Sequence, residues 1–94
     1  MPSTFIVSYD LPEGSDSSAY TKLYEAIKEY RIWAKITEST WAIVSDEKAK
    51  EVRDYLLEHL PQDSRLFVIK CGTEAAWSHV KCSSKWLKKN LNSQ

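Results

Sequence analysis

An α+β domain built on one antiparallel sheet is the fold class this sequence predicts, and three observations predict it. Apolar runs of strand length, near residues 4–9, 33–36, 40–44 and 65–70, are separated by two segments whose apolar residues recur at helical spacing. Their order is strand, helix, strand, strand, helix, strand. Finally, 94 residues with only two Gly and three Pro make one domain's worth of chain, with few breakers and therefore regular elements.

The first strand, Thr4 to Tyr9, is nearly continuous in β-branched and aromatic residues, as expected of a central strand, and Pro12 and Gly14 end it. Ser15-Asp16-Ser17-Ser18 then offers N-caps to a helix whose apolar stripe is Tyr20, Leu23, Tyr24, Ile27 and Tyr30. Trp33 to Ile36 and Thr40 to Val44, parted by the polar Thr37-Glu38-Ser39, read as a hairpin. Ser45 and Asp46 offer caps to a second helix with the stripe Ala49, Val52, Leu56 and Leu60, and Pro61 is its stop. After Asp63-Ser64, Arg65 to Lys70 forms the last core strand.

Split βαβ units in this order close into a four-stranded antiparallel sheet with both helices on one face, the ferredoxin-like arrangement. One domain over residues 1–94 is expected, with its core at 4–70 and a C-terminal extension at 71–94. Within that extension Ala75 to Lys81 reads as an extra strand, and Ser83-Ser84 caps a short helix through Trp86, Leu87 and Leu91. The second sheet face then needs a cover, supplied by a second copy, by the extension, or by both.

With 43% hydrophobic and 28% charged residues, the composition excludes a collagen-like, disordered or disulfide-dense class. Four Trp and five Tyr exceed what one small core usually needs, so some serve either the core or a surface that meets a partner. The net charge is zero, which argues against a sequence-blind electrostatic binder of nucleic acid acting as a monomer. Its distribution is uneven. Residues 1–64 hold seven Lys/Arg against twelve Asp/Glu, a net of −5, whereas 65–94 hold six against Glu74 alone, a net of +5. Such a basic tail either touches nucleic acid or docks on an acidic body.

Cys71 and Cys82 stand eleven positions apart without CxxC or His at ligand spacing, so reduced thiols are expected. The first residues lack a basic region followed by an apolar one, and no apolar run approaches spanning length, so the expected location is cytoplasmic, without membrane contact. His59 and His79 have no nucleophile at motif spacing.

The most informative residue is Asp10, a single carboxylate delivered by a buried strand into a breaker-rich loop. Such an acid either serves metal-assisted phosphate chemistry or hydrogen-bonds loop backbone. Ser8-Tyr9-Asp10-Leu11 at the first strand's end, Ser39-Thr40-Trp41 opening the third, and Asp63-Ser64-Arg65-Leu66-Phe67-Val68-Ile69 after the second helix together resemble the CRISPR-associated endoribonuclease family. These small ferredoxin-like proteins partner the CRISPR integrase. The resemblance spans residues 4 to 70 and extends to VapD-like and SinR-like relatives. Thr37 and Trp41 depart from it, standing where family members tend to carry Gln and Phe.

The resemblance implies a homodimeric nuclease in which Asp10 meets its twin across the two-fold axis and the pair holds Mg²⁺, making Asp10 both the metal ligand and the catalytic residue. Mg²⁺ commonly takes one or two protein carboxylates and keeps several waters, so a dimer repairs the lone-acid objection. Ser39, Arg31, Lys35 and Arg65 are candidate contacts to RNA or DNA, although Ser39 better suits hairpin backbone. Lys85, Lys88 and Lys89 around Trp86 either grip phosphates or complement a helix C-terminus. The competing reading is a non-catalytic dimeric interaction module that recruits a protein partner through a sheet edge or the extension.

Overall fold

A computed structural model describes residues 2–72 and 74–91. The elements are β1 (Ser3–Asp10), α1 (Ser17–Lys28), β2 (Ile32–Thr37), β3 (Thr40–Ser45), α2 (Ala49–Leu57), β4 (Arg65–Lys70) and α3 (Ser84–Leu91). They form an α+β fold with one four-stranded sheet in the order β2-β3-β1-β4, and every neighbouring pair is antiparallel. Consequently β1 runs parallel to β2 with β3 inserted between them, and β3 runs parallel to β4 with β1 inserted. No helix among the described residues is long and apolar enough to cross a membrane.

Local chemistry sets the helix ends. Asp16 caps α1 by accepting from the Ala19 N–H at 3.1 Å and from the Ser18 hydroxyl at 2.7 Å. Those bonds favour the ionised form and hold the Asp16 carboxyl below its ordinary value, the Ser18 bond contributing most. The start of α2 differs from the expected capping by Ser45 and Asp46. Ser45 Oγ accepts from the Glu47 N–H at 3.0 Å, outside the helix, while Glu51 reaches back to accept from the Lys48 N–H at 2.8 Å. A first-turn carboxylate thus satisfies the backbone N–H of the cap residue itself, the half of a capping box that is supplied from inside the helix. The helix also ends at Leu57, short of Pro61.

Pleating sends Phe5, Val7 and Tyr9 to one face, beside Trp41 and Ile43 of β3, where they pack with Leu23, Ala26 and Ile27 of α1 and Val52 and Leu56 of α2. This layer is the main core. Trp41 Nε1 donates to the Tyr9 hydroxyl at 2.9 Å, and that hydroxyl donates to the Glu38 carbonyl at 3.2 Å, so the buried polar tips of both rings are paired. Burial pushes the Tyr9 phenol well above its ordinary value.

Thr4, Ile6, Ser8 and Asp10 point to the opposite face, and here the extension corrects an expectation. Residues 74–83 form no strand among the described residues. Their bond to β2 runs from the Lys81 N–H to the Ile36 carbonyl at 2.9 Å, and His79 sits in the left-handed region at φ 53°. A ladder needs successive residues in extended conformation, which that geometry interrupts. The expected helix is present: Ser83 Oγ caps α3 by accepting from the Trp86 N–H at 3.1 Å. Leu87 and Leu91 of α3 are buried, as are Ala34, Ala42 and Thr4, which share this second sheet face; the Thr4 hydroxyl donates to the Asn90 carbonyl at 2.7 Å. The helix therefore lies on its own sheet, over the β2/β3 side. The expected extension is described only through residue 91, and residues 73 and 92–94 lie outside the described residues.

The β4 side of that face stays open. Ser8 faces Phe67 and Ile6 faces Ile69 across the β1–β4 ladder, and Phe67 is 59% and Ile69 48% exposed.

Candidate functional site

Asp10 is the last residue of β1, and the register sets it opposite Arg65, the first residue of β4. Both side chains belong to the open face. Arg65 Nη1 donates to Asp10 Oδ2 at 3.4 Å, with side-chain exposures of 84% and 71%. An exposed pair of this kind contributes roughly 0–1 kcal/mol, because water and salt screen it. The pairing is therefore easily exchanged for another partner of Asp10.

Two turns of the same design frame this end. In Pro12-Glu13-Gly14-Ser15 the Ser15 N–H and hydroxyl both bond the Pro12 carbonyl, at 3.1 and 2.6 Å; Pro61-Gln62-Asp63-Ser64 repeats the pattern with Ser64 and Pro61 at 3.2 and 2.6 Å. The third position is left-handed in each, Gly14 at φ 88° and Asp63 at 72°, and Asp is one of the few non-glycine residues that tolerates this. Serines thus make the turn bonds that Asp10 was a candidate to make. Its carboxylate is left facing solvent and Arg65.

Between the turns lies a cleft of about 450 Å³ lined by Asp10, Leu11, Pro12, Glu13, Asp63 and Arg65. A second, of about 350 Å³, lies on the other side of Asp10 and includes Tyr9, Tyr24, Glu38 and Ser39 in its lining. Asp10 borders both. Three carboxylates against one guanidinium make the first cleft a poor direct receptor for phosphate, which would meet like charge unless a cation intervened. Water-accessible carboxylate oxygens suit a hard divalent cation. Within a single chain, however, no group of three or more His, Cys, Asp or Glu stands close enough to hold a metal among the described residues. The fit to Mg²⁺ therefore depends on a second copy supplying another carboxylate.

The other sequence-derived candidates divide. Ser39 lines the second cleft beside Asp10, and its carbonyl accepts the Tyr9 N–H at 3.2 Å, which is the hairpin-backbone role. Lys35 points to the face covered by α1 and α2, with Nζ 5.0 Å from the Tyr24 ring, 5.7 Å from the Trp41 ring and 3.9 Å from Glu38. Arg31 precedes β2 and so lies at the end of the sheet opposite Asp10. Asp10, Ser39 and Arg65 are thus brought to one end, and Arg31 is not. Sequence reasoning missed Glu13, Asp63 and Glu38. The repeated Pro-x-x-Ser spacing was the signal available for the first two.

Other nucleophiles are quiet. Cys71 and Cys82 are free, and burial raises both thiols, disfavouring the thiolate. The ring Nδ1 of His59 lies 3.0 Å from the Tyr55 carbonyl of its own helical end. In α3, Lys88 and Lys89 fall in the last turn, where they complement the helix dipole. Lys81 Nζ stands 3.3 Å from Glu38, the point at which the basic extension meets the acidic body.

The class defined so far is an α+β domain with helices on both faces of one antiparallel sheet and an acid-lined cleft at the sheet's end. Compared with known protein families and with curated proteins, the chain matches none of either.

Proposed function

We propose that this chain is a ferredoxin-like homodimer of the CRISPR-associated endoribonuclease type, which binds nucleic acid and hydrolyses phosphodiesters with Mg²⁺ held between the Asp10 carboxylates of two copies. The ferredoxin-like reading is supported by the interleaving of β1 with β3, which makes each βαβ unit a split one. The observation that carries the functional reading is the position of Asp10. It stands at the rim of the uncovered half of the sheet, on the same face as Ile6, Phe67 and Ile69.

Exposed Phe and Ile side chains on a sheet face favour self-association, since complete burial of such a side chain contributes about 1.5–3 kcal/mol. A second copy on this half would bring its own Asp10 to the same rim. A bound Mg²⁺ would polarise a phosphoryl oxygen and lower the pKa of a water it holds. The chain's own part is to present Asp10 on a rigid strand end, to release it from the weak Arg65 pair, and to leave Arg65 beside the cleft for the displaced negative charge of phosphate.

A non-catalytic dimeric module is the second reading, and the Asp10–Arg65 pair favours it, because it gives the carboxylate a partner at the strand end that involves no cation. A nuclease assay on RNA and DNA with and without Mg²⁺ separates the two. The expected result is Mg²⁺-dependent cleavage that Asp10→Ala abolishes. Cleavage undiminished by Asp10→Ala would place the chemistry elsewhere, and a purified dimer without cleavage would leave the non-catalytic module.

A further inference from the structure

Away from Asp10, the outer side of β2 carries a groove of about 320 Å³ whose lining includes Trp33, Ala34, Lys35, Lys81 and Trp86. Its construction is legible. Ala34 is small and buried, so it makes a floor rather than a ridge, and the extension, tied to β2 by the Lys81 to Ile36 bond, raises the opposite wall. From there α3 presents Trp86. Trp33 is 37% exposed although its ring lies 5.5 Å from that of Trp41, so part of a large aromatic surface is left to solvent.

Charge accompanies these rings. Lys35 and Lys81 line the groove, Lys28 Nζ lies 5.2 Å from the Trp33 ring, and no carboxylate is part of the lining. Glu38 stands nearby, 3.9 Å from Lys35 and 3.3 Å from Lys81, but its side chain is 78% exposed. The Lys81 pair is exposed and weak, so Lys81 exchanges Glu38 for a phosphate at little cost, whereas Lys35 is 28% exposed and held over the Tyr24 and Trp41 rings.

We propose that this groove is a binding site for single-stranded nucleic acid, in which unpaired bases stack on Trp33 and Trp86 while Lys81 meets an intervening phosphate. Stacking platforms interleaved with lysines are the chemistry by which single strands are held without sequence readout. A duplex keeps its base faces stacked on one another and offers tryptophan only its backbone. An acidic peptide would satisfy the lysines and leave both indoles unmatched. The inference extends the nucleic-acid reading above by naming the strand state and a surface remote from Asp10, and it requires neither Mg²⁺ nor cleavage.

The test is tryptophan fluorescence titration of the full chain in EDTA with dT10, with U10, with a ten-base-pair duplex and with heparin. Saturable quenching by dT10 and U10 is expected, with the duplex and heparin at least tenfold weaker. Trp33→Ala and Trp86→Ala should each weaken binding by about tenfold or more, in keeping with the usual contribution of one stacked base. Trp33→Phe and Trp86→Phe, which keep an aromatic face, should bind within a few-fold of wild type. Lys81→Gln should reduce the slope of log K against log salt by about 0.7, the value for one phosphate on a single strand. Far-UV circular dichroism identifies any variant that has lost its fold, and the Phe variants then decide. Duplex or heparin binding equal to that of dT10, or folded alanine variants that bind like wild type, would overturn the proposal. Because Asp10→Ala should leave these titrations unchanged, loss of cleavage in that variant bears only on the Asp10 reading, and absent quenching with intact cleavage bears only on the groove.

Discussion

The two halves of the second sheet face are built on one ladder system but surfaced with different residues. On the β2/β3 side Ala34 and Ala42 stand beside Ile32 and Val44, and both alanines are buried, as are Leu87 and Leu91 of α3. On the β1/β4 side Phe67 and Ile69 are exposed beside the half-buried Ile6, and no described helix covers Phe67 or Ile69. Residue size at the centre of each half contributes to the difference. A helix packs where side chains leave room for it, whereas a row of large apolar side chains serves a broader partner that shares the area. The half that is closed by the chain itself carries no carboxylate in its lining groove, and the open half ends in the Asp10–Arg65 pair.

Removing the closed half's anchor should have the largest effect. Leu87→Ala deletes a buried contact of α3 with the sheet and should destabilise the fold by about 2–5 kcal/mol, read as a lower urea midpoint. If α3 were a loosely attached appendage, the midpoint would not move. The open half predicts the reverse behaviour. Phe67→Glu should leave the unfolding of the monomer within about 0.5 kcal/mol of wild type, since the side chain is already exposed. Yet it should weaken self-association at least a hundredfold, about 2.8 kcal/mol, in sedimentation equilibrium. A wild-type chain that sediments as a monomer at high concentration would break the contrast between the halves.

A smaller effect is expected from the buried layer beneath both halves. Trp41→Phe removes the indole N–H that donates to the Tyr9 hydroxyl and should cost about 1–3 kcal/mol in thermal or denaturant unfolding, the penalty for a buried polar group losing a partner. The smallest change should follow Arg65→Gln. Because its pair with Asp10 is exposed, stability should shift by less than about 1 kcal/mol, while Mg²⁺ should raise Tm at lower concentration than in wild type once the competing guanidinium is gone. A loss of several kcal/mol in this variant would mean that the pair is structural.

How much of this was legible beforehand follows from the range of the interactions involved. The four core strands and two core helices were readable because Phe5, Val7 and Tyr9, or Leu23 and Ile27, announce their period within a few residues. The start of α2 was misread because the helix begins beyond Ser45 and Asp46, at the cap residue Lys48, whose N–H is satisfied by Glu51 from inside the helix. The strand expected over 75–81 failed on His79, whose left-handed backbone no local pattern signals. The docking of α3 was unreadable because Thr4, whose hydroxyl donates to the Asn90 carbonyl, is far away in sequence, and the buried Ala34 and Ala42 of the same face are too small to look like a receptor. At the candidate site, Asp10 itself was legible as an acid at a strand end. Its pairing with Arg65 was not, since a cross-strand register is a property of the assembled sheet.

The position of Asp10 at the rim of the open half is most directly tested by a crystal structure of the protein grown with Mg²⁺. The expected result is a two-fold dimer that buries Phe67 and Ile69 and sets one oxygen of each Asp10 about 2.1 Å from a shared ion, hence within about 4.2 Å of each other. A dimer joined elsewhere, or one in which the two carboxylates stand too far apart for a single ion to touch both, would contradict it.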